Sequence, residues 1–186
     1  MADYNGVRST KIAIRLLLLT FARKLELLAA QWPEINFDKA EWTIPAERMK
    51  GQAEHVVPLS TQVLGFFREL KLLAGDDARF VLPSVFKSGK HMARDTLNNA
   101  FETMGYAGSF KPHGVRATAS TILNGMGWRP DVIEKQLAHV EQNKVRAVYN
   151  KAQYLPERRQ MMQQWADHID ALCKGAKVVP IKRVAA

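Results

Sequence analysis

From residue 12 to residue 19 apolar side chains recur almost without interruption, at Ile12, Ile14, Leu16, Leu17, Leu18 and Leu19. A helix that is apolar nearly all round belongs in an interior, and Ser9 or Thr10 would cap its start near Lys11. Residues 20–32 continue the helical pattern, with Arg23 and Glu26 three apart, until Pro33 stops it. The pattern then changes to short extended pieces. Trp42-Thr43-Ile44-Pro45 and His55-Val56-Val57-Pro58-Leu59 predict a small antiparallel sheet whose connecting loop carries Lys50-Gly51. Helical spacing returns at Val63, Leu64, Phe66, Phe67, Leu70, Leu72 and Leu73, from Ser60 or Thr61 to Gly75. Residues 79–83 read as extended, and Asp95 caps an expected helix over 96–104 closed by Gly105. Pro112 suits the first turn of a helix that runs to the break at Asn124-Gly125-Met126-Gly127. Pro130-Asp131 opens another helix, with His139 at its end, and residues 157–172 form the last, bearing Arg158, Arg159, Met161, Met162, Trp165 and Ile169. The fold class is mainly α with a small antiparallel β-sheet (α+β).

Charge adds a partner to this outline. Lys and Arg outnumber Asp and Glu by 27 to 18 in 186 residues, a formal net charge of +9, which favours a polyanion, nucleic acid first. A chain of this length suggests one domain, able to bury about 70% of its unfolded surface without disulfides or metals. Cys173 is the only cysteine, so an intramolecular disulfide or a thiolate zinc cluster is excluded. No apolar run approaches the ~20 residues of a membrane span. No membrane association is expected, and the reading is cytoplasmic.

Candidate chemistry begins at Phe110-Lys111-Pro112-His113-Gly114-Val115-Arg116. His113 and Arg116 are three apart and share a helix face near a helix start, where backbone N–H groups favour an anion. That outlines a phosphate site, or a solvated first turn. Arg23 and Glu26 form a structural ion pair, or Glu26 aims Arg23 at an anion in a cleft. Lys50 is a loop lysine or a reactive one. Lys87-Ser88-Gly89-Lys90-His91 is a basic, glycine-containing loop suited to backbone contact with phosphates. Lys144 and Arg146 add two cations before Tyr149.

Taken in order, Arg23 with Glu26, Lys50 between strands, His113-x-x-Arg116, Leu137-Ala138-His139 and Tyr149 resemble the catalytic domain of the tyrosine recombinases, the phage integrase family. The resemblance covers nearly the whole chain. It is strongest to prophage and genomic-island integrases, through Leu16 to Glu26, Trp42-Thr43-Ile44-Pro45-Ala46-Glu47-Arg48-Met49-Lys50 and Val145-Arg146-Ala147-Val148-Tyr149-Asn150-Lys151-Ala152. The chain departs from the family's habit at Phe21-Ala22, where glycine is usual, at Leu25, where a small residue is, and at Ala138, which often is glycine. Tyr154, five residues past Tyr149 and just before Leu155-Pro156, is expected to pack against the last helix rather than to react.

The resemblance implies a site-specific DNA recombinase that works through a 3′-phosphotyrosyl intermediate. It casts Tyr149 as nucleophile, Arg23 and Arg116 as the guanidiniums on the scissile phosphate, and Lys50 as general acid. His113 accepts or shares the tyrosine proton, His139 donates to the phosphate, and Glu26 supports Arg23. Lys87, Lys90, Lys111, Lys144 and Arg146 are DNA-binding candidates. No metal and no cofactor are implied. The partners are double-stranded DNA attachment sites and, in the synaptic complex, further copies in a tetramer; a monomeric free fragment stays open. Residues 1–173 are the catalytic domain and 174–186 a basic C-terminal tail, with the N-terminal core-binding and arm-binding domains absent from this chain. An inactive DNA-binding prophage remnant and a type IB topoisomerase-like nicking and resealing enzyme are the alternatives.

Overall fold

The computed structural model describes residues 4–75, 77–108, 114–139 and 153–175. Along these the elements run α1 Arg8–Thr20, α2 Lys24–Leu28, β1 Ile35–Asn36, β2 Glu41–Ile44, β3 His55–Pro58, α3 Thr61–Ala74, α4 Thr96–Phe101, α5 Gly114–Gly125, α6 Pro130–Gln136 and α7 Leu155–Cys173. Of the expected site residues, Lys111, His113, Lys144, Arg146 and Tyr149 lie outside the described residues.

The largely apolar α1 is the central element. It touches α2, α3, α4 and α7, and Ile12, Ala13 and Leu16 are wholly buried. It begins earlier than the polar lead suggested: Val7 holds the cap position without a side-chain bond, and Ser9 and Thr10 fall inside the first turn. In that first turn Arg8 donates through Nε and Nη2 to the two carboxylate oxygens of Glu69 on α3 at 2.6 and 2.8 Å. The sheet has the order β1-β2-β3, all antiparallel. The predicted hairpin is its β2–β3 pair, registered Trp42 to Val57 and Ile44 to His55. The alternation of side chains along β2 sends Trp42 and Ile44 into the core, where the Trp42 ring meets Phe67 edge-on at 6.4 Å. The short strand β1 was not foreseen, since two residues carry no readable period.

Two further expectations are corrected. Asp95 precedes α4 but makes no side-chain cap; its φ of −90° and ψ of −7° are helical, and a capping side chain needs an extended backbone to reach back. The helix after it is regular only to Phe101, then widens into a π turn over Glu102–Tyr106 that ends around Gly105 at φ 84°. Residues 79–83 are not one extended run: the chain bends at Arg79, Val81 and Leu82 and joins the fold through single bridges, Gln31 to Phe80 and Pro83 to His91. Among the described residues no helix is long and apolar enough to cross a membrane.

Candidate active site

Thr20 ends α1, and the chain turns sharply because Phe21 adopts a left-handed backbone at φ 58°. A non-glycine residue accepts that conformation only where its surroundings hold it there. Here the Phe21 ring is 1% exposed and packs edge-to-face on Trp165 of α7 at 5.2 Å. The turn places Arg23 at the start of α2. Glu26, one turn on, reaches back: its Oε2 accepts the Arg23 N–H at 2.7 Å and its Oε1 accepts Arg23 Nη1 at 2.8 Å. Glu26 therefore caps the helix and aims the guanidinium, which keeps 28% of its side chain exposed while Glu26 keeps 5%. Arg23 Nη2 also donates to the Ala138 carbonyl at 3.3 Å.

Arg116 arrives from α5 and is 5% exposed. Its Nη1 donates to the carbonyl of Phe21 and its Nη2 to that of Leu137, so one planar fork ties the turn before Arg23 to the end of α6. Burial first, and the Arg23 charge second, lower its pKa to about 10, while Glu26 and Glu134 oppose them. It stays protonated at neutral pH. Two cations thus share a partly desolvated corner with Glu26 as a counter-ion, an arrangement that favours a further anion.

The end of α6 is a reversal built from two bonds. Ala138 N–H donates to the Lys135 carbonyl at 3.2 Å and His139 N–H to that of Glu134 at 3.1 Å, the Schellman pattern, with Ala138 left-handed at φ 48°. His139 lies in this turn rather than in the helix, and its Nδ1 meets Glu134 Oε2 at 2.6 Å. Glycine is the usual residue at such a position because it has no Cβ to strain the turn. Ala138→Gly is expected to raise stability by about 1 kcal/mol, seen as a higher Tm.

Lys50 is exposed on the turn that joins β2 to β3. Arg48, two residues earlier, fastens that connection: its Nη1 pairs with Glu34 and its Nη2 donates to the carbonyl of Glu26. The root of the Lys50 turn is thereby joined to the helix that holds Arg23. Lys87 and Lys90 are exposed on a turn. There the backbone N–H groups of Phe86 and Lys87 donate to the Ser84 hydroxyl, and that of Lys90 to the Lys87 carbonyl. Those three amides are spent inside the turn, so the lysine side chains, not the amides, remain for an anion. Tyr154 is half-buried against the core, with the Arg129 guanidinium 5.3 Å above its ring.

Behind the arginines lies a buried polar group that the sequence did not announce. Arg158 on α7 is 0% exposed, and burial lowers its pKa to about 10. Its Nε and Nη2 donate to Gln136 Oε1 at 3.0 and 2.8 Å, Nη2 to the Val56 carbonyl at 2.6 Å and Nη1 to the Gln153 carbonyl at 3.3 Å. Gln136 Nε2 in turn donates to the Thr20 carbonyl at 3.1 Å, and His55 Nε2 to the Gln136 carbonyl at 3.2 Å. A signal did exist: Arg158, Met161, Met162 and Trp165 fall at i, i+3, i+4 and i+7, the buried face of α7.

His55 gives this group a pH signature. Burial, then the Arg158 charge, lower its pKa to about 3, against an unfolded value of about 6.5. As pH falls below about 6.5 the unfolded chain takes up a proton that the folded protein refuses until about 3. Folding stability from this residue is therefore intact above that window and drains at up to about 1.4 kcal/mol per pH unit within it. His55→Gln is expected to flatten the fall of Tm between neutral and mildly acid pH relative to the parent.

Comparison with known proteins follows the same residues. The model of the phage integrase family matches residues 3–155. The chain is 44% identical over 171 residues to prophage integrase IntA of Escherichia coli, covering 92% of this chain and 41% of that protein. It is likewise 44% identical over 171 residues to prophage integrase IntZ of Escherichia coli, covering 91% and 42%. It therefore spans about two fifths of the length of these relatives. Among solved structures, the integrase from mycobacterium phage Brujita superposes with a TM-score of 0.66 at 16% identity, over 88% of this chain and 53% of that one. That likeness is one of fold, and it agrees with a mainly helical chain bearing a three-stranded antiparallel sheet.

Proposed function

Because this chain belongs to the phage integrase family, we propose that it is the catalytic domain of a site-specific DNA recombinase that cuts and rejoins strands through a phosphotyrosyl intermediate. The observation that supports this most is the meeting of Arg23, Arg116 and the His139 turn around Glu26 and the carbonyls of Phe21, Leu137 and Ala138. Three distant parts of the sequence build a cationic corner with one guanidinium partly open to solvent. Phosphoryl transfer needs mainly such positioning and charge stabilisation.

In the proposed step Tyr149 Oη attacks the scissile phosphorus, the P–O5′ bond breaks, and the 3′ side of the DNA is left on the tyrosine. His113 takes or shares the tyrosine proton, and Lys50 delivers one to the departing 5′ oxygen. Arg23 and Arg116 hold the non-bridging oxygens, for which a bidentate guanidinium suits better than an ammonium, and His139 adds a donor. Glu26 positions Arg23. Attack by another strand's 5′-hydroxyl reverses the step, so bond energy is conserved and no nucleotide or cofactor is required. With five cationic or imidazole groups supplying the electrostatics, the chemistry is assigned as metal-independent. Lys87, Lys90, Lys111, Lys144 and Arg146 bind the DNA backbone. The working assembly is a tetramer on paired attachment sites, in the cytoplasm, and the tail over 174–186 docks on a neighbouring copy.

Paired-site recombination by the intact protein tests this reading against its alternatives. Exchange of flanking DNA only when two attachment sites are present, and undiminished by a chelator, is the expected result. Relaxation of supercoils on a single site without exchange would assign a topoisomerase-like enzyme instead; binding without any strand cleavage would assign an inactive remnant.

A further inference from the structure

Arg158 carries a charge in the protein interior without a carboxylate beside it among its described contacts. Its acceptors among the described residues are neutral: Gln136 Oε1 and the carbonyls of Val56 and Gln153. A buried ion held this way returns less stability than an apolar side chain of its size commonly would. What it does supply is geometry. Its fork spans the end of α6, strand β3 and the chain entering α7, and Gln136 extends the linkage to Thr20, at the root of the Arg23 turn.

The β2–β3 hairpin is thereby held from two sides. On the β2 side Arg48 grips the Glu26 carbonyl. On the β3 side His55 and Val56 are bound to Gln136 and Arg158. Between these two anchors the only exposed lysine is Lys50. We propose that Arg158, acting with Gln136, is a positioning residue that fixes the β2–β3 hairpin against the α6 terminus and so sets Lys50 in register with the Arg23–Arg116 corner. The proposal rests on the reading of Lys50 as general acid. Displacement of a catalytic group by about 1 Å through a remote substitution can cost about 10²-fold in rate, and a hairpin turn loosened at its base allows such a displacement.

The chemistry of the leaving group separates positioning of Lys50 from general loosening. If the scissile 5′ oxygen is replaced by sulfur, the leaving thiolate is far less basic than an alkoxide; a reference thiol has a pKa of about 8.5, and departure no longer needs a proton. Single-turnover cleavage is measured for the intact protein on saturating suicide duplex, with phosphate or 5′-bridging phosphorothiolate at the scissile position. The variants are Arg158→Met, Arg158→Lys and Lys50→Ala. Arg158→Met should fall about 10²-fold on phosphate and recover to within about threefold of the parent on phosphorothiolate, with DNA affinity unchanged. Arg158→Lys keeps the charge and stem but offers one ammonium in place of a fork; it should show a smaller loss with the same recovery, and it carries the comparison if the methionine variant does not fold. Equal losses on both substrates, or none on phosphate, would overturn the proposal while Lys50→Ala is still restored by sulfur. If sulfur does not restore Lys50→Ala, the general-acid reading of Lys50 fails, and the proposal with it.

Discussion

Arg116→Lys is expected to slow covalent complex formation by about 10³-fold, the upper range for loss of one preorganised donor to a developing oxyanion. The parent guanidinium reaches the Phe21 and Leu137 carbonyls at once from a buried position. A lysine ammonium is a single point on a flexible stem and cannot bridge carbonyls from two elements while also facing a phosphate. One carbonyl is then left buried and unpaired, at a cost of about 1–3 kcal/mol, and the turn that aims Arg23 loses its tie to α6. Thermal denaturation and single-turnover cleavage read the two consequences separately. A lysine variant that cleaves within threefold of the parent would show that charge alone suffices at this position.

Glu26→Gln is the second substitution with a large expected effect, about 30-fold in cleavage, an intermediate figure for a group that orients a donor rather than donating itself. The amide can still accept the Arg23 backbone N–H, but its own NH₂ opposes Arg23 Nη1 where Oε1 now accepts at 2.8 Å. Hydrogen bonds to a charged group contribute about 1.5–3 kcal/mol, and Glu26 is nearly buried, so the apo domain should melt earlier. The diagnostic is the response to DNA. With the carboxylate gone, a bound phosphate becomes the counter-charge between Arg23 and Arg116, and the DNA-induced rise in Tm should exceed that of the parent. An equal rise would mean that Glu26 does not balance the two arginines.

Legibility in the sequence followed the physics of each contact. The burial of α1 and the β2–β3 hairpin were readable because apolar periodicity encodes which face is covered, and that face is what the core uses. Arg23 with Glu26 was readable as a pair because one helical turn brings i and i+3 together. The acceptors of Arg116, Arg48 and Arg158 were not, since backbone carbonyls exist at every residue and leave no trace in composition. Asp95 failed as a cap because residue type permits a cap while backbone conformation decides it. Phe21 and Ala138 hold left-handed positions that favour glycine, and what tertiary packing fixes at Phe21 no local propensity announces. Within the last helix Arg158 was named only as one of the residues it bears, whereas its spacing to Met161, Met162 and Trp165 places it on the buried face.

The central claim is that this chain makes a covalent bond to DNA through Tyr149. Trapping on a nicked, labelled suicide duplex bearing the attachment site, with Tyr149→Phe and Tyr154→Phe beside the parent, addresses it directly on denaturing gels. The account predicts protein-linked DNA for the parent and for Tyr154→Phe, and none for Tyr149→Phe. Protein-linked DNA that survives in Tyr149→Phe, or that disappears only in Tyr154→Phe, would contradict it.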